Sequence, residues 1–358
     1  MVTISLCMIA RNEEETLKRC VDSVKDIVDE IVIVDTGSTD GTKEIAASLT
    51  DRVYDFKWID DFSAARNFSF SKATMDYILI LDADDYLKEE DRERFRRLKE
   101  TLSPEVDAVL MPYHVGFDAA GNVTLSYYRE RLSKREKNFR WEEPVHEHLA
   151  YSGNILYSDV CVTHGKVQPT ETGRNLRIYE GMVAKGRELS PRATYYFARE
   201  LYYNGRLEEA AKRFQGFLDG GQGWIEDNIQ ACLMLAKCKS ALKDQQGRLR
   251  ALLRSFEYDT PKAEACCDIG YYFKEKQDYN RARFWFELVL KLEKPKGLGF
   301  HMEDYWGYFP SIELCVCYDK LGMHEEAYKF HKVSQQYKPD SKAVKFNEDY
   351  FNRFFDRE

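Results

Sequence analysis

No stretch of this 358-residue chain approaches the roughly 18 uncharged apolar residues that a membrane-crossing helix needs, so no membrane span is expected. The apolar segment Val2 to Ala10 is too short for a secretory leader, and Arg11-Asn12-Glu13-Glu14-Glu15 ends it abruptly. There is no long run of Lys and Arg, and the formal net charge is -8, so nucleic acid is not an expected partner. Paired C-x-x-C spacing is also missing. The nine cysteines are odd in number, and several sit in apolar settings such as Ile229-Gln230-Ala231-Cys232-Leu233. Buried free thiols in a reducing compartment are the economical reading, which makes the cytoplasm the expected location. Disorder is excluded by composition, because 44% apolar and 32% charged residues are ordinary for a folded soluble protein.

The length favours two domains over one. The first hundred residues alternate short β-branched runs with helical patterns, the signature of a parallel sheet with crossover helices. Strands are predicted over 4–9, 30–34 and 77–81, and helices over 14–24 and 42–49. Such sheets bind ligands at the carboxyl ends of their strands. Ala10-Arg11-Asn12, Asp35 and Asp82-Ala83-Asp84-Asp85 fall at those ends. From about residue 102 to 165 the pattern changes to longer, aromatic-rich extended segments, read as the mixed second half of the same domain.

After about Thr170 helical periodicity takes over. Gly205-Arg206-Leu207-Glu208-Glu209-Ala210, Gln277-Asp278-Tyr279-Asn280-Arg281-Ala282 and Gly322-Met323-His324-Glu325-Glu326-Ala327 repeat one turn-and-helix pattern, with a degenerate copy at Lys243 to Arg248. The steps between copies are 38, 34 and 45 residues, near the roughly 34-residue tetratricopeptide period. The segment 294–310 accounts for the long last step. The domains are therefore placed at 1–170 and 171–358.

The strongest chemical signal is Ile78-Leu79-Ile80-Leu81-Asp82-Ala83-Asp84-Asp85, an apolar strand that delivers carboxylates where it leaves the sheet. A diphosphate leaving group calls for a hard divalent cation, held by one or two carboxylates together with the phosphates. Asp82 and Asp84 can share that task, although an acidic cluster at a strand end can equally cap a helix.

These residues resemble family-2 glycosyltransferases of the GT-A fold. The match runs through Ser5 to Glu14, Glu30 to Thr42, Ala64-Ala65-Arg66-Asn67 and Leu81 to Asp85. The remainder resembles the tetratricopeptide tail of some bacterial members, including peptide S-glycosyltransferases. The resemblance implies a Rossmann-like mixed α/β sheet followed by an all-α repeat domain. It also implies inverting transfer from a UDP-sugar with Mn²⁺ or Mg²⁺. Ala10 and Arg11 would line the nucleobase pocket, and Arg11 stands where relatives often carry an aromatic residue. Asp35 would accept from uracil, Arg66 would meet the base or diphosphate, Asp82 with Ala83 would contact the ribose, and Asp84 would bind the metal. Asp35 could instead be only a helix cap with Thr36 and Ser38, and Arg66 could be a surface ion pair. The turn from Gly37 to Thr42 lacks the lysine of a phosphate-binding loop and reads as structural.

The general base must come from the less regular second half. Trp141-Glu142-Glu143-Pro144-Val145-His146-Glu147-His148 concentrates candidates and resembles a segment of tetratricopeptide-bearing relatives. Its histidines are two apart, not the four of a zinc-protease helix. If the stretch is extended, Glu147 lies opposite His146 and His148. Glu147 is the first choice for base, His146 the second, and Glu143 a third. His164, after the strand-like Val160 to Thr163, stands where some metal-dependent relatives place a last metal ligand.

The expected acceptor is a peptide or protein side chain bound by the repeats, which could also form a homodimer. The competing readings are a glycolipid or cell-envelope saccharide as acceptor, or a non-catalytic tetratricopeptide interaction protein. A nucleotidyltransferase is disfavoured because no glycine-rich loop follows the first strand. The sequence does not specify the sugar.

Overall fold

The computed structural model describes residues 1–117, 121, 123–165, 173–293 and 303–355. They form two compact units, 1–188 and 189–358.

In the first unit the β-branched runs become strands β1 (Ile4–Ala10), β2 (Glu30–Asp35), β3 (Val53–Asp55) and β4 (Tyr77–Ile80). These four are mutually parallel, joined by α1 (Leu17–Asp22), α2 (Thr42–Leu49) and α3 (Phe62–Phe70). Residues 4–8 and 77–80 are buried without alternation, as parallel strands covered on both faces must be. A short β5 (Asp85–Tyr86) and α4 (Glu89–Thr101) lead to the long hairpin β6 (Ala108–Phe117) and β7 (Val123–Lys134). β7 runs antiparallel to both β4 and β6 and so turns the parallel sheet into a mixed one. β8 (Trp141–Glu142) and β9 (His148–Leu149) form a separate antiparallel pair. β10 (Ile155–Tyr157) and β11 (Val162–His164) both lie along β6, and β5 closes on β11. The main path of the sheet is β3-β2-β1-β4-β7-β6-β11-β5.

One expectation changes here. The segment from Glu142 to His148 is not one extended strand, because Glu143 and His146 adopt left-handed backbone angles (φ 71° and 54°) and turn the chain between β8 and β9. Strand alternation therefore does not govern where Glu147 points. The first compact unit runs to Glu188. Helix α5 (Arg174–Ala184) packs with the first unit, where the Tyr179 hydroxyl donates to Val145 O at 3.3 Å and the Arg174 guanidinium lies 4.8 Å above the Phe62 ring.

The second unit is helical among its described residues. Its pairs are α6 (Pro191–Tyr203) with α7 (Leu207–Gly220), α8 (Ile225–Ala241) with α9 (Gln245–Arg254), α10 (Ala263–Glu275) with α11 (Tyr279–Val289), and α12 (Tyr308–Lys320) with α13 (His324–Tyr337). The last is followed by α14 (Lys342–Phe355). The four sequence copies begin two residues past the end of each first helix. Gly205, Lys243, Gln277 and Gly322 all have φ between 60° and 77°. In each pair the next backbone N–H returns to a carbonyl five residues earlier: Arg206 to Leu201, Asp244 to Lys239, Asp278 to Phe273 and Met323 to Tyr318. Two of these positions carry no glycine, so the repeat geometry imposes the left-handed turn there. Ala210, Ala282 and Ala327 are fully buried, and Arg248 replaces alanine by reaching out to Glu275 at 2.6 Å. Tyr271, Phe273, Tyr305 and Trp306 pack against the core of α10 to α13 and belong to that core. Residues 294–302 of the insertion lie outside the described ones.

All nine cysteines are free and eight are buried. Among the described residues, no helix is long and apolar enough to cross a membrane.

Candidate active site

The parallel register sets Ala10 beside Asp35 at the carboxyl ends of β1 and β2. Both are buried and Arg11 is exposed. Asp35 accepts from the backbone N–H groups of Gly37 and Ser38 at 3.0 and 3.1 Å, so its carboxylate holds a turn and caps no helix, α2 being preceded by Gly41. The loop after β1 is tied to that turn. Asn12 N donates to Ser38 Oγ, Thr39 N to Asn12 Oδ1, and Gly41 N to Glu14 Oε2. Thr36 donates twice to the Ala10 carbonyl.

Helix α3, capped by Asp61, carries Arg66 inward. Arg66 is buried, with its guanidinium 4.8 Å above the Trp141 ring. Asn67 fixes that ring's strand by exchanging hydrogen bonds with the Trp141 backbone at 2.9 and 3.0 Å. Arg66 then joins two candidates, donating from Nη2 to Asp82 Oδ1 at 2.6 Å and from Nε to Glu147 Oε1 at 2.8 Å. It is a buried bridge, not a surface ion pair. Burial works against the charges of this cluster. Against that pull, Arg66, Arg131 and Arg129 hold Asp82 well below the usual carboxylate range. His146 is stacked on Tyr179 with ring centroids 6.4 Å apart.

The loop after β4 separates its carboxylates by environment. Asp82 and Asp84 remain partly accessible, Ala83 is buried, and Asp85 is completely buried. Asp85 Oδ2 receives Arg131 Nη1 at 2.9 Å and Asp82 N at 3.0 Å, and Oδ1 receives the Tyr113 hydroxyl at 2.8 Å. Arg131 also donates to Ile80 O at 3.1 Å, which pins the pair to the end of β4.

β11 brings His164 to this loop, where Gly165 N donates to Asp84 O at 2.8 Å. Arg19 of α1 reaches Gly165 O and stacks on Tyr86. His164 Nδ1 is 2.8 Å from the Tyr113 hydroxyl and 3.6 Å from a carboxylate oxygen of both Asp84 and Asp85. Burial, then the charge of Asp82, pushes Asp84 up to about 6, with His164 opposing. Asp85, acting against burial and reinforced by Asp84, holds His164 above the ordinary imidazole range. Asp84, Asp85 and His164 can present ligand atoms within 4.8 Å of one another. Both oxygens of Asp85 are engaged by Arg131, the Asp82 N–H and Tyr113, so the more accessible donors for an ion are the Asp84 carboxylate and the His164 imidazole. One carboxylate oxygen and one imidazole nitrogen could hold a divalent cation, with phosphate oxygens completing the shell.

The structure thus gathers Arg66, Asp82 and Glu147 into one cluster and Asp84 with His164 into another, linked through the four residues from Asp82 to Asp85. Asp35 and Ala10 stand at the neighbouring strand ends, with Arg11 in the adjoining loop. Sequence reading gave no role to Asp85, Arg131, Arg129 or Tyr113. Its one available signal was Arg129 and Arg131 at alternate positions, on one face of an extended segment.

Residues 5–158 match the family model described as glycosyl transferase family 2, so this segment is a glycosyltransferase domain of that family. A tetratricopeptide-like helical unit follows it. The SPbeta prophage-derived glycosyltransferase SunS of Bacillus subtilis is 29% identical over 284 residues, covering 75% of this chain and 65% of that protein. A TPR repeat-containing protein of Synechococcus elongatus is 41% identical over 147 residues, covering 41% of this chain and 35% of that protein. The chain therefore spans less than two thirds of either relative's own length. Among solved structures, glucosyl-3-phosphoglycerate synthase from Mycobacterium tuberculosis, in complex with Mn²⁺ and uridine-diphosphate-glucose, covers 53% of this chain and 81% of that one. Its identity is 16% and its TM-score 0.34, too low for the likeness to bear on function.

Proposed function

We propose that this protein is an inverting, metal-dependent glycosyltransferase that moves a sugar from a UDP-sugar to a peptide or protein side chain. The observation that carries the reading is the meeting of Asp84 and His164, from distant parts of the chain, beside the Arg66 bridge between Asp82 and Glu147.

In this reading Ala10, Arg11 and Asp35 receive the uracil, with Asp35 sharing its oxygens between the base and the turn it holds. Asp82 and Ala83 face the ribose. Asp84 and His164 hold Mn²⁺ or Mg²⁺, which supplies neutralisation of the charge that develops on the leaving diphosphate. Arg66 adds a fixed cation on the same side of the sheet. Glu147 takes the acceptor's proton as the nucleophile attacks the anomeric carbon, and His146 is the second choice. Only Oε1 of Glu147 is used in its contact with Arg66. A base of this kind contributes roughly 10²–10⁴-fold in rate. The acceptor assignment and a homodimer through the helices rest on the sequence resemblance and the repeat architecture.

The test is release of UDP from a panel of UDP-sugars with Mn²⁺, Mg²⁺ or chelator, followed by a search for glycosylated peptide using the preferred donor. Transfer to a saccharide or lipid in place of peptide would overturn the acceptor assignment and leave the donor site standing.

A further inference from the structure

We infer that Tyr113 is a positioning residue that fixes which nitrogen of His164 is free for the metal, and that this nitrogen is Nε2. The inference rests on the metal centre proposed above.

The argument starts from Asp85. It is fully buried, and Oδ2 is taken up by Arg131 and by the Asp82 backbone N–H. A carboxylate paired with a guanidinium has only lone pairs to offer. Its other oxygen, Oδ1, lies 2.8 Å from the Tyr113 hydroxyl. At that distance a proton must lie between the two, and it can come only from the tyrosine. The hydroxyl has one proton, so towards its other neighbour it presents a lone pair. That neighbour is His164 Nδ1, also at 2.8 Å. His164 must therefore donate from Nδ1, and in a neutral imidazole that leaves Nε2 unprotonated.

Proximity alone would suggest otherwise, because Nδ1 is the nitrogen 3.6 Å from both Asp84 and Asp85. Those separations are too long for hydrogen bonds, and the tyrosine bond is not. The hydrogen-bond chain Arg131–Asp85–Tyr113–His164 thus ends on Nδ1 and leaves Nε2 as the nitrogen free for a metal. Metal-binding histidines are commonly oriented through their second nitrogen, and removing such a partner typically costs 10- to 100-fold in metal affinity. Here the partner is a tyrosine held in turn by a buried carboxylate. Asp85 accordingly acts as the anchor of the chain and not as a ligand.

Tyr113→Phe tests this with little disturbance to packing, because the ring stays to cover the Arg131 guanidinium 4.3 Å away and to meet Tyr127 edge-on. Full-length protein labelled with ¹⁵N in histidine is examined without metal at pH 8, and His164→Gln identifies the resonance. The expected wild-type spectrum shows His164 with a protonated Nδ1 and a pyridine-like Nε2. A protonated Nε2 would overturn the inference without touching the proposed activity. Mn²⁺ is then titrated calorimetrically in the presence of UDP. Tyr113→Phe is expected to lose the single tautomer and to bind Mn²⁺ 10- to 100-fold more weakly, with its melting curve reporting any general loss of fold. Wild-type protein that binds no Mn²⁺ would contradict the metal centre itself. Equal affinities in wild type and Tyr113→Phe would contradict the positioning role alone.

Discussion

Arg66 and Glu147, 81 residues apart in sequence, meet in a hydrogen bond of 2.8 Å, while the other arm of the same guanidinium holds Asp82. A planar fork with several fixed donors can bridge two carboxylates in this way, and a lysine ammonium is a point charge without that fixed geometry. Arg66→Lys is therefore expected to lower kcat/KM for the UDP-sugar by on the order of 10²-fold. Arg66→Met should in addition destabilise the protein by about 3 kcal/mol, because Asp82 and Glu147 are left facing one another without their cation. Steady-state UDP release and thermal melting check the two effects separately.

Glu147 tests the assignment of the base. Glu147→Gln keeps the shape and an oxygen for Arg66 but cannot take a proton, so kcat for transfer should fall roughly 10²–10⁴-fold with donor affinity little changed. His146→Gln should have a much smaller effect on kcat. If the two variants exchange these behaviours, the base is His146.

Asp84 gives the pH dependence. Its carboxyl is raised from 3.8 to about 6 in the folded protein. The folded state therefore keeps a proton that the unfolded state has lost between those values. The stability from this group is complete below 3.8 and lost as pH rises through 6, a change on the order of 2–3 kcal/mol. Without metal, Asp84→Asn should melt above wild type at pH 8 and close to it at pH 4. Mn²⁺ should raise the wild-type melting temperature at pH 8, raise it far less at pH 5 where the ligands are protonated, and leave Asp84→Asn unmoved.

The buried pair of Arg131 and Asp85 is expected to matter to folding first. Arg131→Met strands a carboxylate with no exposed surface, and breaking such a pair costs about 3–5 kcal/mol. A denaturant midpoint lowered by that amount is the expected result. A change below 1 kcal/mol would mean that water or Tyr113 satisfies Asp85 unaided.

Much of this molecule is legible in its sequence because the signals are local. The run from Glu30 to Asp35 is a strand on its own periodicity, and residues 42–49 form the helix their pattern announces. The repeat copies start at the left-handed residues just past each first helix, even where lysine or glutamine replaces glycine. What was not legible depends on distant partners. Asp85 looks like one more acid in a cluster until Arg131 is seen to neutralise it. The stretch from Glu142 to His148 reads as extended, yet left-handed turns at Glu143 and His146 bend it. Nothing within those residues states that α3 and α5 will receive the bend at Pro144 and Val145. Helix α5 has ordinary helical periodicity, which cannot tell which unit its buried face will join.

The most direct measurement of the central claim is UDP release from UDP-sugars by wild-type protein and Asp84→Asn, each with Mn²⁺ and with chelator. The account predicts slow release from one preferred UDP-sugar that requires the metal and disappears in Asp84→Asn. Release that persists in chelator or in the variant would contradict the metal centre. The absence of both release and metal-dependent UDP binding would contradict the uridine donor altogether and leave a helical-repeat interaction protein as the reading to pursue.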